Sequence, residues 1–278
     1  MVQLSPVQED SSMHATLLSI KRTFLWLFRL IVAVMLLVFV IVLFQQVINY
    51  LTYDLDGPST PGIALLARLG FEESLGRAVY WYVLQIVFSL LLIKLVIRKK
   101  FTDIGFNLQN GRLSRRLLLW FFPGFLLAAA MSWYGLYALL GIEAITGGVE
   151  ARTVSYMVKD IAIFGLLPGP GEEPLFRVFV IQFLIMVVFK GKEVLLRWEK
   201  AVLIVVSSNL FMAGHVFVLS FAPLQLKYDV LQLVISFSLG VFYAYSYLYT
   251  KSLVVPIVCH NYTDLVVRAG SYLLLGLA

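Results

Sequence analysis

The chain has little charge, a single cysteine and only three histidines. Charged residues make up 14% of its 278 positions, whereas hydrophobic residues make up 60%. This composition excludes an ordinary soluble domain and indicates a polytopic helical membrane protein. The lone Cys259 excludes an intrachain disulfide, so cysteine usage gives no information on the redox compartment.

Basic residues exceed acidic ones, and the formal net charge is +6. They lie mainly in short segments between apolar runs, notably 98–116 and 190–200. Basic residues in short loops mark the cytoplasmic side of a membrane protein, so we interpret them as topology signals and expect no nucleic-acid partner. The same bias places the polar N-terminal tail, residues 1–23, in the cytoplasm. The first apolar run, about 24–51, is too long for a signal-peptide core and is expected to be an uncleaved span.

Apolar runs long enough to cross a membrane recur along the chain. The predicted spans are about 24–51, 78–97, 117–140, 201–221, 231–249 and 253 to the C-terminus. Between the third and fourth of these, residues 154–189 are apolar but contain the breakers Pro168-Gly169-Pro170. We expect this segment to cross once as a bent or broken element, because irregular backbone at membrane depth is tolerated only where protein or a water cavity covers it. The predicted fold is all-α, with about seven to eight transmembrane helices.

A short charged segment follows those breakers. It reads Gly171-Glu172-Glu173-Pro174-Leu175-Phe176-Arg177. An ionisable residue at membrane depth costs about 3 kcal/mol or more and is a candidate functional residue. Acidic residues also stabilise the first turn of many helices. Here, however, the helix starts within apolar sequence and not at a wetted surface, which favours a function.

The spacing separates the two carboxylates. Glu173 and Arg177 are four residues apart with the acid first, which is the favourable order for an ion pair on a helix. Glu172 is five residues from Arg177, or about 140° around the helix. We therefore predict that Glu173 is the structural partner of Arg177 and that Glu172 is free for chemistry.

Two of the three histidines lie inside apolar spans. Phe211 and His215 are four residues apart, as are His260 and Asp264, so each pair shares a helix face. A carboxylate one turn away fixes the tautomer of an imidazole and raises its basicity. The alternatives are that the histidines only pack, and that Asp264 pairs with Arg268. A sheltered carboxylate and histidine can deprotonate water for attack on an amide, while another polar group stabilises the oxyanion.

Three motifs therefore occur in order, each in an apolar segment. They are Glu172-Glu173-x-x-x-Arg177, Phe211-x-x-x-His215 and His260-x-x-x-Asp264. This arrangement resembles the CAAX-processing and bacteriocin-processing (CPBP, or Abi) intramembrane proteases. The resemblance covers 172–264, and it implies that 154–278 is the catalytic transmembrane core behind N-terminal helices in 24–153.

The resemblance implies a glutamic-type intramembrane endopeptidase. Glu172 and His215 would activate water, His260 and Asp264 would form the oxyanion side, and Glu173, Arg177 and Phe211 would support the site. Many relatives have asparagine at the position of Asp264. An ionised aspartate cannot donate to an oxyanion, so Asp264 is either protonated or orients His260. Val178 stands where the family often has glycine, which affects local packing.

Three alternatives remain open. Two histidines and a glutamate can bind zinc, but the His-Glu-x-x-His spacing of helical zinc proteases is missing, so we predict no cofactor and keep zinc as the minor alternative. A catalytically silent scaffold or immunity-type protein of the same fold would keep the cluster for packing. A proton-coupled transporter would use it as a relay, but no repeat is evident.

The expected partners follow from the resemblance. They are membrane lipids and a peptide or protein substrate, which the family name suggests can be lipidated. The short loops favour a prokaryotic cytoplasmic membrane.

Overall fold

The computed structural model describes residues 6–54, 61–141 and 153–276, which form helices and one β-hairpin. The helices are α1 (Pro6–Asn49), α2 (Pro61–Arg68), α3 (Glu73–Leu92), α4 (Gly111–Leu140), α5 (Val154–Leu166), α6 (Pro168–Glu173), α7 (Val180–Val187), α8 (Arg197–Ala213), α9 (Val230–Thr250) and α10 (Val254–Leu275). The antiparallel strands are β1 (Phe217–Phe221) and β2 (Leu224–Lys227). Residues 6–23 of the predicted tail belong to α1, whereas residues 1–5, 55–60, 142–152 and 277–278 of the predicted domains lie outside the described part.

Within the described residues, four helical segments are long and apolar enough to cross a membrane. They are Ser19–Tyr53, Glu73–Ile97, Gly111–Leu139 and Val230–Thr250. Large apolar side chains such as Phe39 and Trp120 point outward and are 64% and 74% exposed. An extended apolar surface is unfavourable in water, whereas contact between apolar side chains and lipid tails has no such cost. This surface is therefore expected to face lipid. The predicted all-α, polytopic membrane fold is confirmed.

The broken element predicted in 154–189 is also confirmed. It consists of α5, α6, a wide turn at Pro174–Phe179, and α7. On α5, Lys159 Nζ donates to the Gly70 carbonyl at 2.6 Å, near the start of α3. On α7, Gln182 Oε1 accepts from Lys99 Nζ at 3.2 Å, beyond the end of α3. The element therefore runs from one end of α3 to the other, as a single crossing requires, and the crossing itself stays a prediction.

A side chain from α10 satisfies the backbone at the break between α5 and α6. The Asn261 side chain accepts a hydrogen bond from the Gly169 N–H at 2.8 Å and donates one to the Leu166 carbonyl at 3.1 Å. Interrupted helices leave backbone donors and acceptors unpaired, which is costly in a membrane. Asn261 therefore stabilises the break and fixes α6 against α10.

The predicted span 201–221 is wrong in its second half. Helix α8 ends at Ala213, and Phe217–Phe221 pairs as a strand with Leu224–Lys227. The stretch is rich in aromatic and branched residues and ends at Ala222-Pro223, which favours a strand and turn. A short apolar run has the same pattern in a buried helix and in a strand, so its periodicity could not separate the two.

The core surrounds the wide turn and α7. Val178, Val180, Ile181 and Leu184 are fully buried there, and α1, α3, α8 and α9 contribute to the same cluster. The segment that follows the charged motif is therefore the centre of the molecule. This close packing fixes the direction of the side chains that the motif presents.

Candidate active site

The charged motif lies on an irregular helical turn. Pro174 has no N–H to continue the hydrogen-bond ladder, and the Val180 N–H donates to the Leu175 carbonyl five residues back. Such wide turns inside helices occur often at functional sites. The turn still keeps Glu173 and Arg177 in contact, with 2.8 Å between Arg177 Nε and Glu173 Oε2. The predicted ion pair is confirmed, and both side chains are fully buried.

The Arg177 guanidinium also contacts two other helices, although its Nη2 has no hydrogen-bond partner among the described residues. Arg177 Nη1 donates to Ser207 Oγ at 2.8 Å, and Ser207 Oγ donates in turn to the Phe176 carbonyl at 2.9 Å. The guanidinium carbon lies 4.7 Å from the centre of the Phe211 ring and 5.7 Å from that of Tyr243. The aromatic faces attract the buried cation. Phe211 therefore contacts the buried guanidinium, and its supporting role in the site stays a prediction.

His260 binds the same carboxylate from the other side. His260 Nδ1 lies 2.7 Å from Glu173 Oε1, and the His260 side chain is 7% exposed. It stacks on Tyr243 with 5.4 Å between ring centres and 14° between planes. Because a carboxylate oxygen accepts, Nδ1 carries the proton and Nε2 points away from Glu173. Glu173 thus joins Arg177 to His260, a contact that sequence reasoning missed because 87 residues separate the two partners.

His215 lies just after the end of α8, in a turn. Its Nδ1 is 2.9 Å from the Phe211 carbonyl. A carbonyl only accepts, so in the neutral ring Nδ1 carries the proton and Nε2 keeps the lone pair. The turn is tied to α1 by a hydrogen bond from Gln45 Nε2 to the Gly214 carbonyl. The ring is half-buried and its available nitrogen is a base.

Glu172, His215, His260 and Asp264 all line one cavity of about 720 Å³. Its walls come from α1, α3, α5, α6, α8, α9 and α10, from the wide turn and from the start of the hairpin. Glu172 is half-buried and forms no hydrogen bond or ion pair with any residue that the structure describes. Its neighbour Glu173 is fully engaged. The predicted division between a paired and an unpaired glutamate is therefore present in the structure.

Asp264 lies next to His260, as the spacing predicted. Its Oδ2 is 3.6 Å from His260 Nε2, and its side chain is 36% exposed. The alternative, a pair between Asp264 and Arg268, is not what forms. Arg268 Nε is instead 3.3 Å from Asp160 Oδ2 on α5. Asp264 is thus left beside the histidine and open to the cavity.

Among the described residues, no three His, Cys, Asp or Glu side chains are grouped so that they could hold a metal ion. Zinc therefore has no ligand set of the usual size in that part of the chain. The absence of a cofactor stays a prediction.

Residues 155–266 match the family model described as type II CAAX prenyl endopeptidase, Rce1-like. Residues 155–266 form an Rce1-like domain. Searches among curated proteins and among solved structures found no match.

The Rce1-like domain contains each of the seven predicted site residues, and its match is consistent with the resemblance to the CPBP family. The family supports peptidase activity of the CAAX-protease kind, on a peptide or protein substrate at the membrane. It does not favour the silent scaffold. With its apolar helices, the chain is an integral membrane protein.

Proposed function

We propose that the protein is a glutamic-type intramembrane endopeptidase in which Glu172 is the general base. The observation that carries this proposal is the contrast between the adjacent glutamates. Glu173 is bonded on both oxygens, whereas Glu172 lines the cavity without a partner in the described structure. A carboxylate that forms no hydrogen bond or ion pair with the protein is available to take a proton from water.

In the proposed step, water lies between Glu172 and His215. Glu172 removes a proton as the water oxygen attacks the carbonyl carbon of the scissile amide. His215 Nε2 accepts a hydrogen bond from the same water and orients it, because Nδ1 is already used on the Phe211 carbonyl. The protonated Glu172 then gives its proton to the leaving amide nitrogen, and the C–N bond breaks. The products are a carboxylic acid and an amine, and Glu172 is regenerated.

His260 is the proposed oxyanion donor. Its Nδ1–H is donated to Glu173, so donation to the oxyanion uses Nε2 and requires the imidazolium form. Glu173 and Arg177 hold the ring in place without contact with the substrate. We propose that Asp264, at 3.6 Å from Nε2, orients this N–H before the substrate arrives. Preorganised donors of this kind stabilise the charge that develops in the transition state.

We also propose that the substrate is a peptide or protein segment at the membrane, which can carry a lipid group. Much of the cavity wall is apolar or aromatic, including Phe44, Trp81 and Leu239. The basic loops support an N-terminus in the cytoplasm. The short loops favour a prokaryotic cytoplasmic membrane.

The test is cleavage of a quenched fluorescent peptide library by detergent-purified protein and by Glu172→Gln. The substitution keeps the shape of the side chain and removes the base, so we expect cleavage to fall about 10²- to 10⁴-fold with unchanged thermal unfolding. Glu193→Gln is the matched control, because Glu193 is exposed in the loop after α7. Equal cleavage by wild type and Glu172→Gln would remove Glu172 from the mechanism. Activity lost equally in Glu193→Gln would show that the assay reports on folding.

A further inference from the structure

The charges that line the cavity are unevenly distributed. Three carboxylates belong to the lining, those of Glu172, Asp229 and Asp264. Arg268 is the one lysine or arginine among the described residues of that lining. An anionic group that entered the cavity would be repelled by the carboxylates and attracted only near Arg268 or a charged histidine. The proposed reaction makes no use of Arg268.

The Nε atom of Arg268 forms an ion pair, whereas Nη1 and Nη2 are available to a ligand. Nε lies 3.3 Å from Asp160 Oδ2, and the Tyr272 hydroxyl donates to the same oxygen at 2.9 Å. Asp160 is 3% exposed. The guanidinium carbon lies 4.1 Å from the centre of the Phe164 ring. Within the described part of the chain, Nη1 and Nη2 have no hydrogen-bond partner, and the side chain is 34% exposed.

We propose that Arg268 binds a carboxylate of the substrate. This rests on the proposed function, because it places the substrate in the same cavity as Glu172. Two parallel N–H groups of a guanidinium match the two oxygens of a carboxylate, and such charge-assisted pairs are strong and directional. The contacts with Asp160 and Phe164 hold the guanidinium in position before the ligand arrives, which lowers the entropy cost of binding.

The helix repeat sets where this carboxylate would lie. His260, Asp264 and Arg268 follow each other at intervals of four on α10, so they lie along one side of the helix. The eight residues from His260 to Arg268 correspond to a rise of about 12 Å. An extended peptide covers about 3.3–3.6 Å per residue, so about three or four residues separate the scissile bond from the bound carboxylate. That carboxylate is either the C-terminus of the substrate or an acidic side chain.

The experiment uses three quenched peptide libraries. The first has no Asp or Glu and ends in a free carboxylate, the second is the same with a C-terminal amide, and the third adds one Glu to the amide form. We expect wild type to prefer the first over the second by about 10- to 100-fold in kcat/KM. In Arg268→Gln this ratio should fall to near one, mainly through a higher KM, and Arg268→Lys should keep part of it. A preference for the third library over the first would identify an acidic side chain as the ligand.

Two controls separate binding from folding. Arg98→Gln removes an exposed arginine that does not line the cavity and should leave the ratio unchanged. Arg268→Gln leaves Asp160 buried without its cation, so the double variant Asp160→Asn/Arg268→Gln restores a neutral pair. It should unfold like wild type and still lack the preference. The proposal would be overturned if wild type cleaved all three libraries with the same kcat/KM, or if Arg268→Gln kept the wild-type ratio between the first and second libraries. Neither result would argue against cleavage that depends on Glu172.

If no peptide is cleaved, the proposed function fails and binding still tests Arg268. The readout is then fluorescence anisotropy of the labelled, unquenched libraries with wild type and Arg268→Gln. Tighter binding of a carboxylate library that is lost in Arg268→Gln supports the site. Equal binding in both proteins rejects it.

Discussion

At the scale of single residues, the site contains two neighbouring glutamates in different environments, one paired and buried and the other unpaired at the cavity. Glu173 is fully buried between Arg177 and His260, and each contact is 2.8 Å or shorter. Glu172 faces the cavity. The same chemical change at the two positions should therefore have different consequences, and the pair forms its own control.

We predict that Glu173→Gln destabilises the protein by about 3–5 kcal/mol, because it leaves the buried Arg177 without a counter-charge. Glu172→Gln should change the free energy of unfolding little. Tryptophan fluorescence during denaturant unfolding in detergent measures both. Cleavage should be lost in both variants, so stability is the quantity that separates them. Equal stability of the two variants would contradict a structural role for Glu173.

Residue spacing predicted only contacts within one helix. The pair of Glu173 and Arg177 followed from an interval of four, and so did the contact between His260 and Asp264. The bond between Glu173 and His260 joins positions 87 residues apart. Arg268 pairs with Asp160 and not with Asp264 because of the way in which α5 lies against α10. A single sequence carries no signal for the contact between Glu173 and His260 or for the contact between Arg268 and Asp160, because both depend on packing between helices.

At the scale of helices and strands, the break before the motif depends on close packing of α6 on α10. A Cβ added to Gly169 would lie 2.6 Å from the Ile257 carbonyl oxygen and 2.6 Å from Asn261 Oδ1. The first of these atoms belongs to the backbone and cannot rotate away. Breakers and an apolar flank were enough to predict a bent element here, but not which helix it would contact.

We predict that Gly169→Ala destabilises the protein by about 1–3 kcal/mol, because overpacking forces α6 away from α10. The displacement moves Glu172 relative to His260, so cleavage should fall as well. Gly124→Ala in α4 is the matched control, since its Cβ would meet nothing within 4 Å. The measurements are the thermal unfolding temperature and the cleavage rate of both variants, each compared with wild type. A Gly169→Ala protein that matched Gly124→Ala in both would show that the two helices are not in close contact.

At the scale of the whole molecule, the contacts define two faces, one at each end of the segment Glu73–Ile97, and we predict that they lie on opposite sides of the membrane. The segment Glu73–Ile97 has 25 residues and is about 37 Å long, enough to cross an apolar layer of about 30 Å. Leu69 precedes this segment and Lys99 follows it. Trp26 near the start of the first span contacts Phe189 and Trp198, so the N-terminal end of that span lies on the face of Lys99.

The basic loops predict that the Lys99 face is cytoplasmic. To test this, Cys259 is replaced by alanine, and single cysteines are placed at Lys99, Glu193 and Leu69, which are exposed positions. With a membrane-impermeant maleimide, Lys99→Cys and Glu193→Cys should be labelled only in inside-out vesicles. Leu69→Cys should be labelled only in right-side-out vesicles.

The two possible errors give different patterns. If all three sites keep their grouping but exchange vesicle types, the fold is right and the orientation is inverted. If Glu193→Cys groups with Leu69→Cys, the broken element does not cross once, and the contact between Lys99 and Gln182 does not place its end on the Lys99 face. The grouping of Lys99 with Glu193 therefore tests the path of the broken element, whereas the labelled side tests only the charge rule.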